Sequence, residues 1–195
     1  IVEPAKCQPR EFDTYSIAAN IVREIEAKIT RRSVSIVLRV EQVTTDFIDP
    51  KVFELVLRSL LKNAIENTPD EGEIIVSLEN TPSGILLCVE DTGVGISASD
   101  REFLFTAFHH TQDTERYATK RPFDFGAGGK GLELMRLKIL AEQCNFEIAL
   151  ESKRCQFIPS NLDQCPGKIS MCAAADFEKC KAAGGTTFSV LFHRQ

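Results

Sequence analysis

From Thr14 onward the apolar positions fall at helical spacing. Ile17, Ala18, Ile21, Val22, Ile25 and Ile29 recur at intervals of three and four, which predicts an amphipathic helix capped by Asp13 or Thr14. Over residues 34–41 the period drops to two. Val34, Ile36, Leu38 and Val40 share one face, as in a half-buried strand. Asp49-Pro50 opens a second helix, since proline suits a first turn. Its apolar stripe is wide (Val52, Phe53, Val56, Leu57, Leu60, Leu61, Ala64, Ile65), and Pro69 and Gly72 end it. Ile74, Val76 and Leu78 alternate again, and a turn over 80–84 leads into an apolar run over 85–90. The pair reads as a β-hairpin. A short helix is expected over 97–108, a long polar loop over 109–127, a third long helix over about 131–143, a strand over 146–150 and a closing strand over 186–192. Residues 1–12, with Pro4 and Pro9, read as a linker. Helices and strands do not alternate strictly, so the expected fold is α+β. It is a two-layer α/β sandwich in which a mixed, mainly antiparallel sheet carries helices on one face.

Composition narrows the class. The chain has 195 residues, 43% of them hydrophobic, which fits one large domain with a real core. A net charge of -5 argues against a nucleic-acid footprint. No run of eighteen apolar residues spans a membrane, so no membrane contact is expected of this chain. The chain opens without Met and shows no secretory signal, and it reads as a cytoplasmic fragment of a parent that a membrane could anchor. Of seven cysteines, Cys7, Cys88 and Cys144 are scattered, and the last two sit among apolar residues as small core hydrophobes. Cys155, Cys165, Cys172 and Cys180 crowd into one segment. The odd total argues against a purely disulfide framework.

The chemistry starts at Asp91-Thr92-Gly93-Val94-Gly95-Ile96. An acid at a strand end can accept a hydrogen bond from a purine's exocyclic amine, and the glycines let the backbone approach the ligand. Asp-Thr-Gly is also an ordinary turn. Three further segments change the balance: Leu60 to Pro69 with Asn63 and Asn67, Phe105-Thr106-Ala107-Phe108, and Gly126-Ala127-Gly128-Gly129-Lys130-Gly131-Leu132-Glu133. In this order and at these separations the four resemble the N-box, first glycine box, phenylalanine box and second glycine box of the ATP-binding catalytic domain of sensor histidine kinases. That family sits in the ATPase group of DNA gyrase and the Hsp90 chaperones, with the Bergerat ATP-binding fold. Gly184-Gly185-Thr186-Thr187-Phe188 matches the strand that closes the family's sheet. The resemblance covers roughly residues 13–152 and 184–193 of a domain over 13–195, with a cysteine-rich insert at about 153–183.

The resemblance implies ATP and magnesium as cofactors. Asn63 would ligate magnesium through its amide oxygen, a hard donor. Asp91 would receive the adenine amine, Gly93, Gly95 and Ile96 would line the base, and Thr186 would support Asp91 through a hydroxyl or water. Asn67 lies at the N-box position of a stacking ring. Phe105 and Phe108 would anchor the lid. Gly128, Gly129, Lys130, Gly131 and Leu132 would hold phosphate at a helix N-terminus. Each has a plainer reading as an edge, core or solvated residue.

The departures fall on the phosphate half. Ser59 stands where family members often carry a second Asn and where hydrolytic relatives carry a Glu, which favours transfer over hydrolysis. Glu66 replaces a common Lys, Glu133 a glycine and His110 a lid Arg, for which Arg116, Lys120 and Arg121 are candidate substitutes. None of His109, His110 and His193 lies on a helix upstream of the site. The phosphoacceptor histidine is therefore expected on a separate domain of the parent, acting as a homodimer that passes phosphate to a response regulator. The four late cysteines leave zinc, an iron–sulfur cluster, redox-active disulfides and free thiols open. The rival functions are a gyrase- or Hsp90-like ATPase, and a metal or redox sensing module with a degenerate ATP site.

Overall fold

The computed structural model describes residues 7–101, 121–127, 132–158 and 163–194. In chain order the elements are β1 (Phe12–Asp13), α1 (Thr14–Lys28), β2 (Ser35–Val40), β3 (Thr44–Thr45), α2 (Pro50–Asn67), β4 (Glu73–Thr81), β5 (Gly84–Asp91), α3 (Ala98–Arg101), α4 (Leu132–Cys144), β6 (Phe146–Lys153), a 3-10 turn (Ile169–Met171), α5 (Phe177–Ala183) and β7 (Gly185–His193).

Asp13, not Thr14, caps α1, because its carboxylate accepts the N–H groups of Tyr15 and Ser16. Thr14 is buried and donates its hydroxyl to the Val43 carbonyl at 2.8 Å. Asp49 caps α2 by accepting the Lys51 N–H, with Pro50 in the first turn. The main sheet runs β2-β4-β5-β7-β6; only β2 and β4 pair in parallel. Its helix-facing residues (Ile74, Val76, Leu78, Ile85, Leu87, Val89, Phe188, Val190 and Phe192) join the stripes of α1, α2 and α4 in one core. Leu57, Leu60, Leu61 and Ile65 of α2 are fully buried. Each such side chain contributes about 1.5–3 kcal/mol by leaving water. The α+β two-layer architecture with a mixed, mainly antiparallel sheet is the one that the hydrophobic pattern predicts. Among the described residues no helix is long and apolar enough to cross a membrane.

Two cysteine readings are corrected, and residues 7–12, read as a linker, lie against the domain. Gln8 N–H donates to Asp49 Oδ2 at 2.8 Å, Arg10 N–H to the Ile48 carbonyl, and β1 pairs with β3. Cys144 is not a lone core hydrophobe: it forms a disulfide with Cys7, 137 residues away, with the Cα atoms 5.7 Å apart. Cys88 lies half-buried on the sheet face turned away from the helices, its sulfur 3.4 Å from Ser189 Oγ, because strand alternation gives the buried face to Leu87 and Val89.

Candidate nucleotide-binding site

Asp91 is the last residue of β5, and its register partner is Thr186 of β7. It is 3% exposed. Its carboxylate accepts the Gly93 N–H at 2.9 Å, and the backbone N–H of Thr186 lies where it favours the charged form. Burial pushes its pKa up to about 7, against the lowering effect of these two N–H groups. The Thr186 hydroxyl shares a 2.9 Å hydrogen bond with Ser152 Oγ. Ser152, its register partner on β6, also accepts the Ile96 N–H at 2.9 Å. A routine strand serine carries no sequence signal for that role. Thr92 pins the other side, since its hydroxyl accepts the Glu73 N–H at 2.9 Å.

The glycines are where their conformations require. Gly95 has φ of +63°, and a Cβ there would strike the Lys153 carbonyl oxygen. A Cβ on Gly93 would run into the Asn67 carbonyl and the Asp91 carboxylate. Gly95→Ala is therefore expected to destabilise the fold by at least about 1–2 kcal/mol and to weaken adenine-nucleotide binding. Thermal unfolding and nucleotide titration of the variant check this; unchanged values for both would contradict it.

The loop packs on the last turn of α2, where the Val94 N–H donates to the Asn67 carbonyl at 3.1 Å. This contact brings Asn63, Asn67 and Asp91 into one region. Asn67 donates through Nδ2 to the Asn63 carbonyl at 2.8 Å and to Asn63 Oδ1 at 3.3 Å. The Asn63 amide oxygen accepts this one long bond and keeps a second lone pair. Such a donor fits a magnesium ion held mostly by water and phosphate oxygens. Ser59 lies one turn earlier on α2, half-buried.

Glu66 does something the sequence does not announce. It is 5% exposed, and its carboxylate accepts the Phe123 N–H at 3.2 Å while its carbonyl accepts the Gly126 N–H. Burial raises its pKa, with Lys62 opposing. Arg32, which shows no motif, completes this anchor. It donates to Asp70 Oδ1 at 2.7 Å and to the carbonyls of Ile65, Thr68 and Phe123. Segment 121–127 is thus fastened to the end of α2. Arg121 is exposed there, with its N–H bonded to Asp124. Glu133 pairs with Lys62 at 2.6 Å and so ties α4 to α2.

Phe105, Phe108, His109, His110, Arg116, Lys120, Gly128, Gly129, Lys130 and Gly131 lie outside the described residues. Leu132 begins α4. His193, on β7, faces Glu147 at 3.3 Å. Cys155, Cys165, Cys172 and Cys180 are half-buried and in no disulfide. Burial and the other thiols of the group raise the pKa of Cys165, and that of Cys180 to about 11.

Known proteins resemble this chain in the same terms. It is 30% identical over 105 residues to the cell-division control histidine kinase PdhS of Brucella anthropi, covering 53% of this chain and 10% of that protein. It is 27% identical over 151 residues to the circadian input-output histidine kinase CikA of Synechococcus elongatus, covering 76% of this chain and 19% of that protein. The chain therefore spans a small part of these curated relatives. Two solved structures share its fold. The mycobacterial sensor histidine kinase MprB has a TM-score of 0.63 at 16% identity, covering 96% of this chain and 99% of that one. The catalytic domain of histidine kinase ThkA has a TM-score of 0.62 at 19% identity, covering 95% and 96%. The family model described as histidine kinase-, DNA gyrase B-, and HSP90-like ATPase matches residues 48–195, and the chain belongs to that family.

Proposed function

We propose that this chain is the ATP-binding catalytic domain of a two-component sensor histidine kinase. It binds Mg-ATP and presents the γ-phosphate to a histidine on an acceptor domain outside the described chain. The observation that carries the reading is the buried Asp91 carboxylate, held by the Gly93 N–H, set opposite Thr186 by strand register and packed beside the α2 turn that bears Asn63. Asp91 would accept the adenine amine while Gly93, Gly95 and Ile96 bound the base. Asn63 would hold magnesium, which supplies charge neutralisation at the phosphates. Glu66 and Arg32 fix one end of the segment that precedes the second glycine box. Transfer then rests on positioning, because Ser59 offers no carboxylate to activate water. The domain would work in the cytoplasm within a homodimeric parent and serve a response regulator.

Nucleotide titration of the purified chain tests binding, and incubation with a histidine-bearing acceptor hairpin tests transfer. Steady ATP hydrolysis without an acceptor would instead favour the gyrase-like reading. Asn63→Ala is expected to abolish the gain in affinity that magnesium gives, with metal-free binding nearly unchanged. Calorimetric titrations with and without magnesium measure this, and a magnesium effect that survives would remove Asn63 as the ligand.

A further inference from the structure

Among the described residues no group of three or more side chains, the four late cysteines included, could hold a metal ion. The insert between β6 and β7 bears on the site through its first residues instead. Where β6 gives way to the insert, residues 152–155 run alongside the loop that follows Asp91. The Cys155 N–H donates to the Val94 carbonyl at 2.9 Å, Arg154 Nη1 to the Gly95 carbonyl at 3.3 Å, and the Ile96 N–H to Ser152 Oγ at 2.9 Å. A Cβ on Gly95 would strike the Lys153 carbonyl, so the two segments touch between these bonds as well. On its other side the loop rests on α2, through the Val94 N–H and the Asn67 carbonyl.

Ser152 joins this loop to the strand that faces Asp91. Its hydroxyl accepts the Ile96 N–H, lies 3.0 Å from the Gly185 carbonyl and lies 2.9 Å from Thr186 Oγ1. A hydroxyl has one proton and two lone pairs. The Gly185 carbonyl can only accept, so the Ser152 proton goes there. The Ile96 N–H takes one lone pair of Ser152. The Thr186 hydroxyl therefore donates to the other, and all of these contacts are then made at once. Its proton spent, Thr186 keeps its own lone pairs at the strand position paired with Asp91. Thr186 is buried there, where polar atoms use the capacity they have.

We propose that Ser152 is a positioning residue of the nucleotide site, resting on the reading that Asp91 receives the adenine amine: it holds the base-lining loop at Ile96 and turns the Thr186 hydroxyl so that lone pairs, not a proton, are offered to the base. The Asp91 carboxylate is an acceptor as well. The pair suits a base edge that donates, directly or through a bridging water. A purine with a carbonyl in place of the amine sets an acceptor against acceptors, which a buried site rejects.

Inosine triphosphate, which has that carbonyl, is the probe. Ser152→Ala in the purified chain is expected to weaken ATP binding about 5- to 10-fold and to lower the ratio of ATP to inosine triphosphate affinity at least about 3-fold, because the freed Thr186 proton can then donate to the carbonyl. Ser152→Thr keeps the hydroxyl, suits a strand and should restore the ratio. An equal loss for both nucleotides is the mark of a loosened loop and overturns the orienting role. In the nucleotide-free chain the Ile96 amide should exchange with solvent about 10-fold faster in Ser152→Ala than in the parent, with the Val89 amide of β5 unchanged. Equal Ile96 exchange in the two proteins overturns the brace. Should Ser152→Ala not fold, Ser152→Cys supplies the same readouts, since a thiol is a weak donor and a weak acceptor. A parent that binds neither nucleotide defeats the adenine reading and the orienting role with it, while Ile96 exchange, read without nucleotide, still decides the brace.

Discussion

Asp91→Asn is expected to weaken adenine-nucleotide binding roughly 10- to 100-fold, the scale set by losing a hydrogen bond to a buried charged acceptor. The same change should not destabilise the nucleotide-free protein at pH 8, and that combination separates a binding role from a structural one. The folded-state pKa of Asp91, about 7, is raised above the ordinary aspartate value of 3.8. The folded state therefore holds this proton more tightly than the unfolded chain. The stability that Asp91 contributes is fully present below about pH 4 and is lost as pH rises through about 7. Asparagine carries no such charge, so the variant should be at least as stable as the parent at pH 8. Affinity in the parent should rise between about pH 6 and pH 8 as the carboxylate ionises. Titrations across that range, with thermal unfolding alongside, decide the matter. A pH-independent affinity, or an Asp91→Asn protein that binds normally, would remove Asp91 as the adenine acceptor.

Arg32→Ala is expected to destabilise the fold by roughly 3 kcal/mol, the lower end for breaking a buried ion pair. The Arg32 side chain is 8% exposed and that of Asp70 is 27% exposed, so solvent screens part of the loss on the Asp70 side. The larger share comes from the Ile65, Thr68 and Phe123 carbonyls, which lose their donor. For a domain of this size such a loss lowers the midpoint of thermal unfolding by about 6–12 °C. Arg32→Lys should recover less than half of it, because an ammonium cannot reach four acceptors in fork geometry. A midpoint within about 2 °C of the parent for Arg32→Ala would show that the anchor carries little energy.

The two variants probe parts of the site that differ in how far a linear reading reaches. Asp91, Gly93, Gly95 and Asn63 stand out because strand ends, glycine pairs and helix stripes are local. The same holds for α1, α2 and the β4–β5 hairpin, whose periods and caps lie within a few residues. Arg32 carries no such mark: its four acceptors lie 33 to 91 residues away. Ser152 looks like any strand serine until β6 pairs with β7 and sets it opposite Thr186. Glu66 reads as a lost phosphate contact, and it becomes a fastening for Phe123 and Gly126 only when segment 121–127 returns to α2.

Residues 7–12 and the insert make the same point from the other side. Their compositions suggest a linker and a coreless loop, because neither holds a hydrophobic period of its own. Backbone hydrogen bonds to distant carbonyls attach both, and these carry no side-chain signature. By itself the sequence determined the sheet-and-helix layers and the motifs that match the family, since each depends on short-range periodicity or on the spacing of glycines. Only the tertiary structure decided what braces Asp91, what anchors segment 121–127, and that the insert between β6 and β7 packs on the Val94–Gly95 loop. Those facts depend on contacts between segments far apart in the chain, whose approach is set by strand register and core packing.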